Sequence, residues 1–237
     1  MKEMTIIAEK ALYGVSVPVV STYANTMLKL DVVKHTEFPR GAKIVAANHP
    51  STTDPFFVAA MVRQQAFIMI NDVLFQVPIL GSYLRKSGHI SVKPGHGQEA
   101  IDAALAHLKK GHTIMIFPEG LISPGDGGFH QARTGIARLA LESGAPIVPV
   151  GIGLLRERIK HIKSVVSGVE EIGHWYTSGP YAMTVGHPVT FVGDPDDREL
   201  TRSVADRVMR RIIELATESE LRINRSMGMA SGLFDLI

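Results

Sequence analysis

The chain has 237 residues, of which 45% are hydrophobic and 20% are charged, so it fits one globular domain or two small ones and can bury a substantial core. It contains no cysteine, which excludes disulfides, thiolate metal ligands and a cysteine nucleophile. Its formal net charge of +2 is too small to indicate nucleic-acid binding.

Residues 1–33 predict an amphipathic helical segment that precedes the main domain. Pro18, Asn25 and Lys29 interrupt its apolar sequence, which therefore does not suit a membrane span. It is also a poor signal peptide, because Glu3, Glu9 and Lys10 flank no clean apolar core and no small-residue cleavage site follows. We expect one helix or a pair of helices, broken between residues 14 and 18. Two alternatives carry equal weight: the apolar side chains dock on the domain, or they enter a lipid interface.

Residues 34–237 predict a single α/β domain. Apolar runs predict strands at 44–47, 67–70, 89–92, 113–117, 146–152 and 183–185. Periodic apolar positions, caps and stop signals predict helices at 56–62, 72–86 (one or two short ones), 98–110, 133–143 and 197–224. Because strands alternate with helices, we expect a mostly parallel sheet flanked by helices.

Residues 155–180 carry the weakest pattern of the domain. A basic run extends from Arg156 to Lys163, and Trp175 and Tyr176 follow it in a polar stretch that we interpret as a loop. Such a run is typical of a solvated helix face. The more specific alternative is that these basic side chains contact anionic lipid headgroups.

A possible site for proton transfer lies where the strand at 44–47 ends. His49 follows that strand, and Asp54 begins the next helix after a short polar turn. Histidine transfers protons near neutral pH, and a carboxylate that holds one ring nitrogen leaves the other free to react. Alternatively, Asp54 only caps its helix while His49 bonds a carbonyl of the turn, and this stretch alone favours that simpler interpretation.

A second acidic group follows another predicted strand. Pro118, Glu119 and Gly120 come directly after the strand at 113–117, at the same kind of strand end as His49. A carboxylate followed by glycine suits the binding of substrate hydroxyls, although these three residues also make an ordinary turn.

Four short blocks together resemble the glycerolipid acyltransferases, the lysophosphatidic acid acyltransferase-like (PlsC-type) family. Residues 48–54 (NHPSTTD) are similar to the hallmark of that family, a histidine and an aspartate separated by four residues. The other blocks are 88–93 (GHISVK), 117–120 (FPEG) and 147–150 (IVPV). Their order and separations fit the family over residues 40–190, which favours the catalytic interpretation of His49.

The resemblance implies roles for particular residues. His49 would be the general base and Asp54 would orient its ring, with Ser51 as a helper in the turn. Glu119, Gly120 and Pro118 would hold the acceptor, and Lys93 and Arg133 would bind phosphate of the acceptor or of the donor. In many members the third block continues Thr-Arg-Ser and the second ends in Arg, where this chain has Leu121-Ile122-Ser123 and Lys93.

The implied reaction is transfer of a fatty acyl group from acyl-CoA or acyl carrier protein to a lysophospholipid hydroxyl. The acceptor would be 1-acylglycerol-3-phosphate or a related glycerolipid, with no cofactor and no metal. We expect peripheral association with the cytoplasmic side of a membrane and no nucleic-acid partner. Two alternatives remain: a thioesterase or ester hydrolase in which water replaces the acceptor, and a non-catalytic lipid-binding protein.

Overall fold

The computed structural model describes residues 2–62, 64–166 and 168–228. Residues 229–237 of the predicted domain lie outside the described ones. The strands are β1 (Asp31–Lys34), β2 (Lys43–Ala47), β3 (Ala66–Asn71), β4 (Ile90–Val92), β5 (Thr113–Ile116), β6 (Ile147–Leu154), β7 (Lys160–Val166), β8 (Val169–Trp175) and β9 (Tyr181–Val185). The α-helices are α1 (Lys2–Met27), α2 (Asp54–Met61), α3 (Leu80–Lys86), α4 (Gly97–Lys109), α5 (Gly135–Ser143) and α6 (Arg198–Ser226).

A seven-stranded sheet forms the centre of the fold, in the order β1-β9-β6-β2-β5-β3-β4. The pairing between β6 and β9 is antiparallel, and the other pairings in this sheet are parallel. The predicted α/β class with a mostly parallel sheet is therefore confirmed. The carboxyl ends of β2, β4 and β5 lie along one edge, where open α/β sheets place their ligands.

Two hydrophobic layers cover the faces of the sheet. Alternate residues of β2 point to opposite faces, so Ile44 packs in a cluster with α4, α5 and α6, and Val45 packs in a second cluster with α1 and α2. Both residues are fully buried. Burial on both faces explains why this strand has a continuous apolar sequence.

The N-terminal helix differs from the expected broken segment. Helix α1 runs through Pro18, so the predicted break between residues 14 and 18 was wrong. Proline removes one backbone hydrogen bond from a helix interior, but packing of the following turns offsets this cost. Ala24, in α1, and Leu28, just after it, are fully buried in the second cluster, and Tyr23 stacks against Phe57 of α2.

The basic run forms a hairpin instead of the expected helix face. Strands β7 and β8 pair antiparallel over residues 160–175 and make a separate two-stranded sheet. The sequence pattern that indicates this hairpin is a pair of seven-residue runs, KHIKSVV and VEEIGHW, on either side of Ser167-Gly168. A Ser-Gly dipeptide marks a turn, and the runs on either side of it contain β-branched residues, which favour strands.

None of the described helices combines the length and hydropathy needed to cross a bilayer.

Candidate active site

Asn48 lets the chain leave β2 and turn at the edge of the sheet. Its side-chain Nδ2 donates to the carbonyl of Ile152 in β6 at 2.9 Å, and its Oδ1 accepts from the amide of Ile152 at 2.7 Å. The side-chain amide therefore continues the hydrogen bonding between β2 and β6 by about one more residue. The backbone is then free to turn outward at His49.

His49 and Asp54 form a hydrogen-bonded pair at this turn. The distance from His49 Nδ1 to Asp54 Oδ2 is 3.1 Å, and the exposed fractions of the two side chains are 17% and 0%. Proton donation by Nδ1 to the carboxylate leaves Nε2 of the neutral ring as a proton acceptor. The His49 ring stacks on Phe117 with a centroid distance of 4.2 Å, so Phe117 covers one face of the imidazole.

The carboxylate of Asp54 accepts three further hydrogen bonds. Ser51 donates its amide to Oδ2 at 2.7 Å and its hydroxyl to Oδ1 at 2.6 Å, and Tyr181 donates its hydroxyl to Oδ1 at 2.9 Å. A buried charge is costly unless donors compensate it, so these contacts explain how Asp54 is accommodated. Tyr181 was missed by the sequence analysis because it lies 127 residues away in the chain.

Glu119 reaches the same turn, but its carboxylate faces protein groups. Its exposed fraction is 2%. Oε1 accepts from the His49 amide at 3.0 Å and from the Ser123 hydroxyl at 2.6 Å, and Oε2 accepts from the His130 amide at 2.8 Å. Ser123 also donates its amide to the His49 carbonyl at 2.8 Å. In this geometry Glu119 holds the turn that carries His49, which differs from the expected contact with an acceptor.

Gly120, Pro118 and Arg133 come together beside Glu119. The Arg133 amide donates to the Pro118 carbonyl at 2.8 Å. A Cβ atom added at Gly120 would lie 2.3 Å from Arg133 Nε, so the arginine side chain runs directly over this glycine, whose φ is +69°. Glycine is required at such a position because L side chains avoid this φ and because the cation needs the space.

Lys93 lies farther from His49 than the other expected binding residues. It follows β4, which β5 and β3 separate from β2. At about 4.8 Å per strand, the ends of β4 and β2 are about 14 Å apart. Lys93 lines an open cavity of about 350 Å³ with His89, Ser91, His96 and Glu99 among its neighbours.

The expected binding residues therefore fall into two groups. The exposed ones, whose side chains or backbone reach the surface, are Lys93, Gly120 and Arg133. The buried ones, which contact the loops around His49, are Ser51, Pro118 and Glu119. Within the described parts of the chain, no three His, Asp or Glu side chains lie close enough together to bind a metal ion.

The hairpin contributes to the site in a way that the sequence did not indicate. The Thr52 amide donates to the His174 carbonyl at 2.8 Å, and the His174 amide donates to Thr52 Oγ1 at 2.8 Å. The end of β8 thus holds the turn between His49 and Asp54. Burial lowers the pKa of His174 most, and the neighbouring His161 and His49 lower it further.

The part of the chain that carries these residues matches a known protein family. The model of the Acyltransferase family matches residues 29–153, which include β2, β5, His49, Asp54 and Glu119. The chain belongs to the glycerolipid acyltransferase family.

Curated relatives of this acyltransferase-family chain share less than a third of their aligned residues with it. A 1-acyl-sn-glycerol-3-phosphate acyltransferase of Saccharomyces cerevisiae is 32% identical over 131 residues, which are 52% of this chain and 43% of that protein. A lyso-ornithine lipid O-acyltransferase of Pseudomonas aeruginosa is 29% identical over 150 residues, covering 61% and 56% of the two chains. The chain spans about half the length of the curated relatives it matches.

A solved structure shows the same fold. The crystal structure of the 1-acyl-sn-glycerophosphate acyltransferase PlsC from Thermotoga maritima superposes with a TM-score of 0.58, covering 90% of this acyltransferase-family chain and 81% of that one at 23% identity. The α/β architecture assigned above is therefore that of a known glycerolipid acyltransferase.

Proposed function

We propose that this protein transfers a fatty acyl group from a thioester donor to the hydroxyl of a lysophospholipid. The observation that carries the proposal is the His49–Asp54 pair, 3.1 Å apart at the edge of the sheet in a chain of the acyltransferase family. Named relatives act on 1-acylglycerol-3-phosphate and on lyso-ornithine lipid. We take 1-acylglycerol-3-phosphate as the first acceptor to test, with acyl-CoA or acyl-ACP as the donor.

The proposed mechanism uses His49 as a general base and then as a general acid. Nε2 takes the proton of the acceptor hydroxyl as its oxygen attacks the thioester carbonyl carbon. The tetrahedral intermediate then collapses, the carbon–sulfur bond breaks, and the imidazolium returns its proton to the departing thiolate. Asp54 stabilises the imidazolium and keeps the proton of the neutral ring on Nδ1. General base catalysis of this kind contributes about 10²–10⁴-fold to the rate.

The two exposed cations suit different phosphates. The phosphate of a lysophosphatidate is joined to the same glycerol as the reacting hydroxyl, so Arg133 beside Gly120 is the better placed group to bind it. The phosphates of CoA, or of the prosthetic group of acyl carrier protein, lie a pantetheine arm away from the thioester. We assign them to Lys93, about 14 Å across the sheet.

Three of the residues expected to bind substrate have a different proposed role. Ser51, Pro118 and Glu119 are buried and bonded to the loops of the site. We propose that they keep His49 and Gly120 in place, while Gly120 and Arg133 contact the acceptor.

We also propose that the protein works at the cytoplasmic surface of a membrane, where soluble thioester donors meet lysolipids. Val15, Val19, Tyr23 and Met27 follow one another at four-residue intervals along α1 and are exposed. Residues spaced in this way lie on one side of a helix, so the outer side of α1 presents an apolar stripe.

The test of the function is an acyl-transfer assay with palmitoyl-CoA or palmitoyl-ACP, with and without lysophosphatidate. We expect product only when acceptor is present, and a loss of about 10²–10⁴-fold for His49→Ala. His187→Ala, which removes an exposed imidazole far along the chain, is the matched control and should keep full activity.

Three outcomes would contradict the proposal. Release of free fatty acid at full rate without acceptor would identify a hydrolase instead. Vesicle binding without turnover of any thioester would identify a lipid-binding protein. Normal rates for His49→Ala would remove His49 from the mechanism.

The proposed steps use protein groups for every proton transfer. We therefore expect transfer activity to survive dialysis against EDTA, and a loss that Mg²⁺ or Zn²⁺ restores would contradict this part of the mechanism.

A further inference from the structure

The hydrogen bonds to Asp54 are divided between its two carboxylate oxygens. Oδ2 accepts from the Ser51 amide and from His49 Nδ1, whereas Oδ1 accepts from the hydroxyls of Ser51 and Tyr181. The tyrosine therefore binds the oxygen opposite to the one that faces the imidazole. Donors on both oxygens fix the rotation of the carboxyl group and keep Oδ2 directed at the ring.

Tyr181 is itself held rigidly. Its side chain is fully buried, and its ring packs edge-on against Phe57 with a centroid distance of 5.0 Å. Its backbone pairs with Leu154 in β6, and its amide donates to the Leu28 carbonyl at 3.0 Å. Its hydroxyl is thus positioned from the strand, from α2 and from the end of α1 together.

The phenol of Tyr181 stays protonated and can act as a donor. Burial raises its pKa well above the usual value, and the neighbouring charge of Asp54 raises it further. The titratable groups around this hydroxyl are Asp54 itself, His49 beyond the carboxylate, and Tyr176, whose ring centroid is 6.0 Å from that of Tyr181. The hydroxyl of Tyr176 donates to the Pro180 carbonyl at 2.7 Å.

We infer that Tyr181 is a positioning residue for the His49–Asp54 pair. It acts through Asp54, by fixing the orientation of the carboxylate and by partly neutralising the charge that stabilises the imidazolium. Tyr181 lies outside residues 29–153, the part of the chain that the family model matches. The inference rests on the proposed function for its effect on turnover, but the hydrogen bond can be tested separately.

The test is Tyr181→Phe, which removes one oxygen and keeps the packed ring. We expect kcat to fall roughly tenfold with KM nearly unchanged, because the carboxylate loses one of the donors that direct Oδ2 at the ring and no substrate contact is altered. The carboxylate then carries more effective charge and stabilises the imidazolium more strongly. The acidic limb of the pH–kcat profile should therefore move to higher pH.

Tyr176→Phe is the matched control, since it removes the hydroxyl of an adjacent buried tyrosine that bonds a backbone carbonyl instead of Asp54. It should leave both kcat and the pH profile unchanged. A purely structural role of Tyr181 would lower the melting temperature without moving the pH profile, and that result would overturn the inference.

A fluorinated tyrosine keeps the test decisive if the phenylalanine variant fails to fold. Site-specific 3,5-difluorotyrosine at position 181 is a stronger donor of nearly the same shape, so the acidic limb should move to lower pH. An unchanged profile, or movement to higher pH, would overturn the inference.

A measurement without substrate separates this inference from the proposed function. ¹⁵N NMR of the His49 ring reports which nitrogen carries the proton. We expect Nδ1 to carry the proton in both proteins and the ¹H resonance of that proton to move downfield in Tyr181→Phe, because the more strongly charged carboxylate binds it more tightly, whether or not any acceptor is acylated. An unchanged resonance would contradict the positioning role even in an active enzyme. A moved resonance in a protein without transfer activity would leave the positioning role intact and reject the function.

Discussion

Asn48 shows how one side chain can set the geometry of the residue next to it. Its amide completes the pairing between β2 and β6 at the level of Ile152, where the backbone of β2 has already turned away. The donor and acceptor on Ile152 are buried, so they need partners inside the protein. The position of the proposed base therefore depends on a short polar side chain that has no step in the proposed mechanism.

We predict that Asn48→Ala destabilises the protein by about 1–3 kcal/mol, because it leaves the buried amide and carbonyl of Ile152 unpaired. Urea unfolding followed by circular dichroism measures this loss. Asn25→Ala, at an exposed position on α1, is the control and should change the free energy of unfolding by less than about 0.5 kcal/mol. Equal stability of Asn48→Ala and the wild type would contradict the bridging role.

A second prediction at this scale concerns His89 and pH. Its Nδ1 accepts from the Ile68 amide at 3.2 Å, which requires the neutral ring, and burial lowers its pKa to about 4 from 6.5. Below pH 6.5 the unfolded chain binds a proton that the folded protein takes up only near pH 4. The free energy of unfolding should therefore fall as pH decreases from 6.5 to 4, by up to about 3 kcal/mol.

The variant His89→Asn isolates this contribution, because its carbonyl oxygen can still accept from Ile68. Urea unfolding at several values between pH 4 and pH 7 should show a shallower pH dependence in the variant. A slope equal to that of the wild type would rule out His89 as the source.

The distances along the chain explain which site residues were predictable. His49 and Asp54 are five residues apart, and the sequence Asp54-Pro55 indicates a helix start that can bring the Asp54 carboxylate back to His49. Tyr181 and Ile152 lie more than a hundred residues from their partners, and no local pattern marks a tyrosine in a buried strand as a donor to Asp54. Burial also decides the position of Glu119, whose sequence context is equally compatible with an exposed carboxylate.

At the scale of elements, patterns that repeat locally were predictable and isolated strands were not. The apolar period of α6 and the buried runs of β5 and β6 indicate their types directly. Strand β1 is four residues long and half-buried, so its alternation is too short to detect, and the hairpin of β7 and β8 was obscured by its basic residues. Strand β1 pairs with the distant strand β9, and β7 and β8 pair mainly with each other, with the end of β8 also bonded to Thr52.

Helix α6 packs so closely on β6 that only glycine fits between them. A Cβ at Gly151 would lie 2.0 Å from the Ala216 amide nitrogen and 2.0 Å from the Leu215 carbonyl carbon. Ser219 of the same helix donates to the Gly151 carbonyl at 2.9 Å. The helix backbone thus rests directly on the strand that pairs with Asn48.

We predict that Gly151→Ala destabilises the protein by about 1–3 kcal/mol or more, because α6 must move away from the sheet. The midpoint of urea unfolding measures the change. Gly97→Ala is the control: an added Cβ at this position, in the first turn of α4, meets none of the described atoms within 4 Å. A loss of the same size in both variants would show that close packing is not the cause.

At the scale of the whole molecule, the outer side of α1 presents exposed apolar side chains. The same helix contributes Ala24 to the core, so deleting it would disturb the fold as well as any membrane contact. Substitutions on its exposed side separate the two effects. Val15 and Val19 are 69% and 65% exposed and lie one turn apart.

We predict that replacing Val15 and Val19 together with Glu lowers partitioning to phosphatidylcholine–phosphatidylglycerol vesicles by at least about tenfold, since burial of one valine in an apolar phase contributes about 1.5 kcal/mol. Sedimentation with the vesicles measures bound protein. Val192→Glu is the control and should bind normally, because this valine is 94% exposed but lies outside α1. Equal binding of all three proteins would exclude α1 from the membrane contact.

The hydrogen bond from Tyr181 to Asp54 has a consequence for exchanging parts between relatives. Residues 29–153 carry the recognisable blocks, yet the tyrosine enters from β9, beyond that boundary. A chimaera that received only residues 29–153 from another member would have the aspartate of that member and Tyr181 of this chain. Its turnover would then depend on whether the tyrosine hydroxyl still reaches the aspartate, so an exchanged segment should extend at least through residue 185.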